Sequence, residues 1–221
     1  FLPRQAFLGA ILAQANGAPS ARERLIADVA EARFKLLPGD HDLIPGTRVL
    51  KERLRVQPDG VLESENVYAL LEAKRIGKAS FQPEQLAREY VLALREAQTR
   101  LPLLIVIVPT PPPVPIKGHG RMALGDAIRL KLPDVFARVA GLEVSLEDAS
   151  ARIDECVCWT SWDDIKRSVS TARASYANHK ASVRRTIERL ADSVIDAIEW
   201  HSLPPKPRQE ASSPARPTRK A

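Results

Sequence analysis

This chain of 221 residues contains only two cysteines, Cys156 and Cys158. A C-x-C pair alone is no zinc site, because zinc needs a fuller ligand set. Two thiols fit a reduced, cytoplasmic protein. On a strand the pair is expected to point the same way. No apolar run approaches the roughly 20 residues of a membrane helix, so no membrane partner is expected. No helicase or other motor motif occurs. Neither glycine nor proline falls between Ser161 and His201, so nothing there interrupts a helix. An acidic excess is also missing. The formal net charge is +6 and the pI about 9.5, which favours an anionic partner, nucleic acid before a membrane surface. What remains is a globular composition, 44% hydrophobic and 27% charged, of a length that suits one ordinary domain with a helical extension.

The stretch Gln57–Tyr90 carries the chemistry. Pro58-Asp59-Gly60 reads as a turn opening a short strand. Val67–Arg75 reads as a second strand, and a helix over Gln82–Gln98 follows with Pro83 in its first turn. Side chains alternate faces along a strand, so Tyr68, Leu70, Glu72 and Lys74 share one face. Two charges at the end of an apolar strand are costly to bury unless they are paired or bind a metal. Asp59 lies one hairpin away from Glu72. Two carboxylates and an ammonium converging there suit Mg²⁺, which takes carboxylate oxygens and keeps several waters. Lys74 is placed to polarise an attacking water or to stabilise charge on phosphate.

Pro58-Asp59 and Glu72-Ala73-Lys74, in this order, resemble the motif of the PD-(D/E)xK nuclease superfamily, over about residues 20–110. Restriction enzymes, Holliday-junction resolvases and RecB-like nucleases belong to it. The resemblance implies an α/β, restriction-endonuclease-like core, a mixed central sheet flanked by helices, built as helix, three-strand meander, helix and strand. It implies phosphodiester hydrolysis with Mg²⁺, or Mn²⁺ in its place. Asp59 and Glu72 would hold the metal and Lys74 would assist water attack. RecB-like members place a glutamine and a tyrosine on the following helix. Gln85 and Tyr90 look similar, one residue further apart than Q-x-x-x-Y, which makes Gln85 the better candidate to orient the site.

The flanking segments are read in the same way. Residues 1–19 form an N-terminal segment, a helix or a truncated start; Ala6–Ala15 only faintly resembles a signal peptide. A helix is expected from an N-cap at Ser20 to Leu37, where Glu23 either completes a capping box or, as in resolvase-like members, joins the metal ligands. Thr47–Val56 is expected as the first strand of the meander. Arg75 and Lys78 flank Gly77 as a basic loop able to grip phosphates. Leu101–Val108 reads as a strand buried on both faces. Short helices are expected near Ala123–Lys131 and Asp134–Ala140, and a strand near Cys156–Trp159. The core spans 20–160. Ser161 N-caps a long helix or helical pair over 161–202, and a disordered basic tail follows over 203–221. From Thr160 onward 12 lysines and arginines face 7 acids. That part suits DNA tracking, or a homo-oligomer or protein partner held through the C-terminal helix. DNA is expected over RNA. The alternative is a catalytically inactive nucleic-acid-binding or assembly module on the same fold.

Overall fold

The computed structural model describes residues 2–44, 54–76, 80–139 and 141–202. A π-helical turn at Gln5–Gly9 runs into α1 (Ala10–Gln14), and β1 (Asn16–Gly17) leads into α2 (Pro19–Asp28). Strands β2 (Arg33–Leu36), β3 (His41–Asp42), β4 (Arg55–Val56), β5 (Gly60–Glu63) and β6 (Val67–Ala73) follow. Helix α3 (Pro83–Ala97) crosses to β7 (Leu101–Val108). A hairpin of β8 (Val114–Ile116) and β9 (Gly120–Met122) precedes α4 (Leu124–Phe136), α5 (Leu146–Ala151) and α6 (Ile153–Cys156). Strand β10 (Val157–Ser161) and helices α7 (Trp162–Ala174) and α8 (Ala181–Ser202) complete the described chain.

The architecture is α/β. Six strands form one mixed sheet in the order β1-β10-β7-β6-β5-β2. Strands β2, β5 and β6 run antiparallel in turn, whereas β6, β7 and β10 are parallel. A parallel pair needs a long crossover, and α3 supplies it between β6 and β7. Strand β7 is buried on both faces, as its apolar run predicts. Leu104, Val106 and Val108 pack with Tyr68, Leu70 and α3 on one side of the sheet. Leu103 and Ile105 pack with Val67, Ala69, α1 and α2 on the other. Truncating a fully buried leucine such as Leu103 to alanine costs about 2–5 kcal/mol. At the β1 edge, a Cβ on Gly17 would meet the Val157 carbonyl at 2.5 Å, so only glycine lets this strand pair.

Several expectations are corrected. The helix from Ser20 to Leu37 is a shorter helix and then a strand. Pro19 takes the first helical position, Ala18 is the cap without a side-chain bond, and the capping box of Ser20 and Glu23 does not form. Residues 33–36 leave the helix and pair with β5 from Arg33↔Glu63 to Leu36↔Gly60. This strand, and not Thr47–Val56, opens the meander. The described end of that stretch, Arg55–Val56, pairs with His41–Asp42 in a separate ribbon, and residues 47–53 lie outside the described residues. One helix replaces the two expected between Ala123 and Ala140. Pro133 sits inside it, and burial of Ile128, Leu132 and Val135 offsets the missing backbone bond. Cys156 ends α6 in the α3-side core, while Cys158 lies in the opposite core, so the two do not point the same way.

At the C-terminal end Ser161 caps α7 through a full capping box with Asp164. Residues 175–180 separate α7 from α8, so the glycine-free stretch is a helical pair. Ile165, Val169 and Ala172 of α7 pack on Ile187, Ala191 and Ile198 of α8, with Phe7 from the N-terminal turn. Lys166–Glu199 and Arg173–Asp192 pair across the two helices, and Arg184 pairs with Glu188 along α8. Part of the basic excess is therefore met within the pair. No helix of the described residues is long and apolar enough to cross a membrane.

Candidate active site

The site is built at the end of β6, where the sheet meets the start of α3. Asp59 precedes β5. Its N–H donates to the Leu71 carbonyl at 3.0 Å, and its own carbonyl accepts from the Leu37 N–H at 2.9 Å. Held between β6 and the end of β2, Asp59 turns its carboxylate to accept from the Ala73 N–H through Oδ2 at 2.8 Å. The acid is thus bonded to the backbone residue that separates Glu72 from Lys74.

Glu72 continues the face of Tyr68 and Leu70 into the α3 side and is only 3% exposed. Burial at that level demands a partner. Lys74 Nζ donates to Glu72 Oε1 at 2.6 Å and to Gln85 Oε1 at 3.2 Å. The backbone of Lys74 is tied on both sides. Its N–H donates to the Ile107 carbonyl at 3.0 Å, and its carbonyl accepts from the Trp162 indole N–H at 2.7 Å. The ammonium also lies 5.4 Å from the centre of the Phe81 ring, a cation–π distance.

Gln85 enters from the first turn of α3. Its Nε2 donates to Glu72 Oε1 at 2.8 Å and to Glu89 Oε1 at 2.9 Å. Lysine has donors alone and a carboxylate acceptors alone, so one glutamine amide satisfies both by turning its oxygen to Lys74 and its nitrogen to the acids. Glu89, one helical turn after Gln85, is 0% exposed, and its Oε2 has no hydrogen-bond partner. Burial, and then the charge of Glu72, holds this carboxyl well above the usual carboxylate range. A cavity of about 250 Å³ opens beside Gln85 and Glu89, with Arg55 and Arg88 in its wall.

Glu72, Lys74 and Gln85 are therefore joined by direct side-chain bonds, Asp59 is linked to them through the Ala73 N–H, and all four are at the end of β6. Glu23 is not. It is exposed on α2, whose buried residues Ala21 and Leu25 pack on the opposite face of the sheet with Val67 and Ala69. Among the described residues no three His, Cys, Asp or Glu side chains assemble as a metal-holding group. Arg75 is exposed just past β6, and Lys78 lies outside the described residues. Tyr90 points away from the site. It is fully buried, and its hydroxyl donates to the Ala149 carbonyl at 2.6 Å, anchoring α3 to α5. Three participants were missed in the sequence: Glu89, Phe81 and Trp162. Only Glu89 leaves a signal, an acid at i+4 from Gln85 that interrupts the apolar stripe of Leu86 and Tyr90.

Asp59, just before β5, and Glu72, on β6 and bonded to Lys74, offer hard oxygen donors of the kind that suit Mg²⁺, which is held by one or two carboxylates and retains water. Compared with protein-family models, with curated proteins and with solved structures, the chain matches none.

Proposed function

We propose that this chain is a metal-dependent nuclease of the PD-(D/E)xK type that hydrolyses phosphodiester bonds, in DNA before RNA. The carrying observation is the cluster at the end of β6. Lys74 and Gln85 converge on Glu72, while Asp59 is bonded to the backbone between Glu72 and Lys74. The order α2-β2-β5-β6-α3-β7 supports the reading, because helix, three-strand meander, helix and strand is the succession a restriction-endonuclease-like core requires.

Asp59 and Glu72 would hold Mg²⁺ or Mn²⁺, which when bound lowers the pKa of water and neutralises phosphate charge. Lys74 is held by Ile107 and Trp162 so that its ammonium faces the acids. From there it orients the attacking water or steadies charge on the scissile phosphate. Gln85 fixes both Lys74 and Glu72 against α3. Arg75, exposed beside the cluster, contacts the phosphate backbone. The setting is the cytoplasm. Both cysteines are buried free thiols, and burial pushes Cys158 up to about 12.

A second reading, an inactive nucleic-acid-binding or assembly module, is favoured by one observation: Glu23 stands on the far face, leaving two ligand acids. Incubating wild type and Glu72→Ala with linear, circular and single-stranded DNA in Mg²⁺, Mn²⁺ or EDTA separates the two. Cutting that needs metal and disappears in Glu72→Ala supports the nuclease. DNA binding with no cutting under any condition supports the module.

A further inference from the structure

The hairpin of β8 and β9 is fastened to the candidate site through Phe81. Phe81, whose ring lies 5.4 Å from Lys74 Nζ, forms a parallel bridge with Ile116. Its N–H donates to the Pro115 carbonyl at 2.9 Å, and its carbonyl accepts from the Lys117 N–H at 2.8 Å. Val114 and Ile116 are buried in the core that also holds α3, so the base of the hairpin is fixed. The tip, Lys117-Gly118-His119-Gly120-Arg121, is exposed throughout. Gly118 and Gly120 have φ of +81° and +75°, the left-handed backbone that this tight turn needs.

The tip adds exposed positive charge next to the site. Several cations downstream are answered by acids, Arg129 by Asp154, Lys131 by Asp134, Lys166 by Glu199 and Arg173 by Asp192, whereas Arg152, Lys180, Arg185 and Arg189 have no ion-pair partner among the described residues, so what sets the tip apart is its place beside the cluster. Lys117 and Arg121 have no ion-pair partner among the described residues, and the tip contains no acid. A ribbon with a buried base, whose exposed tip carries two cations and a histidine and which is anchored beside the candidate cluster, matches the chemistry of a polyanionic backbone. Arginine offers a fork to phosphate oxygens and lysine a point charge.

We propose that the β8–β9 tip is a clamp for the phosphate backbone of duplex DNA bound at the Asp59–Glu72–Lys74 cluster. This rests on the nuclease reading. The clamp positions DNA without reading its sequence, since contacts to phosphate carry no base information.

The test is equilibrium binding of a fluorescent duplex DNA across a salt series, in EDTA and again with Ca²⁺. It compares wild type, Lys117→Ala/Arg121→Ala and a charge-matched control at exposed arginines of α2 and β2, Arg24→Ala/Arg33→Ala. Loss of two phosphate contacts lowers the slope of log affinity against log salt by about 1.8 and weakens binding roughly tenfold at moderate salt. The control is expected to keep both slope and affinity close to wild type. A tip variant with the wild-type slope, or a control that loses as much, overturns the clamp. Cleavage lost in Glu72→Ala reports on the nuclease reading separately. If wild type cuts DNA but the tip variant keeps its slope, only the clamp falls; if wild type neither binds nor cuts, both fall.

Discussion

Replacing Glu89 by glutamine probes the candidate site at its most buried point. The side chain is 0% exposed, one oxygen accepts from Gln85, and the other has no partner. Burial and the neighbouring Glu72 raise this carboxyl well above its ordinary value of 4.5. In the unfolded chain Glu89 ionises near that ordinary value; in the folded chain it keeps its proton to higher pH. Between those two points the folded state binds more protons than the unfolded, so stability falls as pH rises. Below about 4.5 both states are protonated and the group contributes nothing. Above the folded value both are ionised and the cost stays constant. The slope within the window approaches about 1.4 kcal/mol per pH unit. For a chain of this size that is about 3–6 °C in Tm per pH unit. Glutamine keeps the acceptor for Gln85 and removes the titration. Its Tm advantage over wild type is expected to be small near pH 4.5 and to grow as pH rises until the folded carboxyl ionises, measured by thermal melts in EDTA. The difference between the two proteins cancels the titrating groups that do not interact with Glu89, leaving the titration of Glu89 with its neighbour Glu72. A constant difference from pH 4.5 to pH 8 would refute the burial and the neutral carboxyl together.

Other outcomes follow from single bonds. Tyr90→Phe leaves the buried Ala149 carbonyl without its partner and is expected to cost about 1–3 kcal/mol in denaturant melts, while cleavage per folded molecule is unchanged. A comparable loss of cleavage would instead place Tyr90 in the site. Trp162→Phe keeps the ring but releases the Lys74 carbonyl; a stability cost of about 1 kcal/mol and a roughly tenfold drop in metal-dependent cleavage are expected. Unchanged cleavage would mean that the bond to Ile107 positions Lys74 alone. The Asn66 amide, and then the Ser64 hydroxyl, hold Asp28 below its usual value. A lowered acid stabilises above its unfolded pKa and loses that effect as pH falls through its folded one. The Tm deficit of Asp28→Ala should therefore be full at pH 7 and shrink below about pH 4; a deficit independent of pH would show that the carboxylate charge is irrelevant.

Local periodicity determined much of this protein. The alternation in Val67–Ala73 put Glu72 on the face of Tyr68 and Leu70, the unbroken apolar run of Leu101–Val108 marked a strand covered on both sides, and Ser161 with Asp164 announced a helix start. Each signal lies within a few neighbours along the chain, where the geometry of one turn or one pleat decides the outcome. Residues 33–36 behave differently. Their apolar positions also satisfy a helical period, and only the ladder offered by β5 makes them a strand. Glu23 sits at a spacing that suits either a cap or a ligand, and the packing of Ala21 and Leu25 on the far face keeps it from the cluster. Glu89 looks like one more charged residue on a helix, yet the fold seals it under Gln85. These outcomes depend on which surfaces meet across long sequence separations. Burial, ladder pairing and the placement of a carboxyl against a particular neighbour exist only once those surfaces have met.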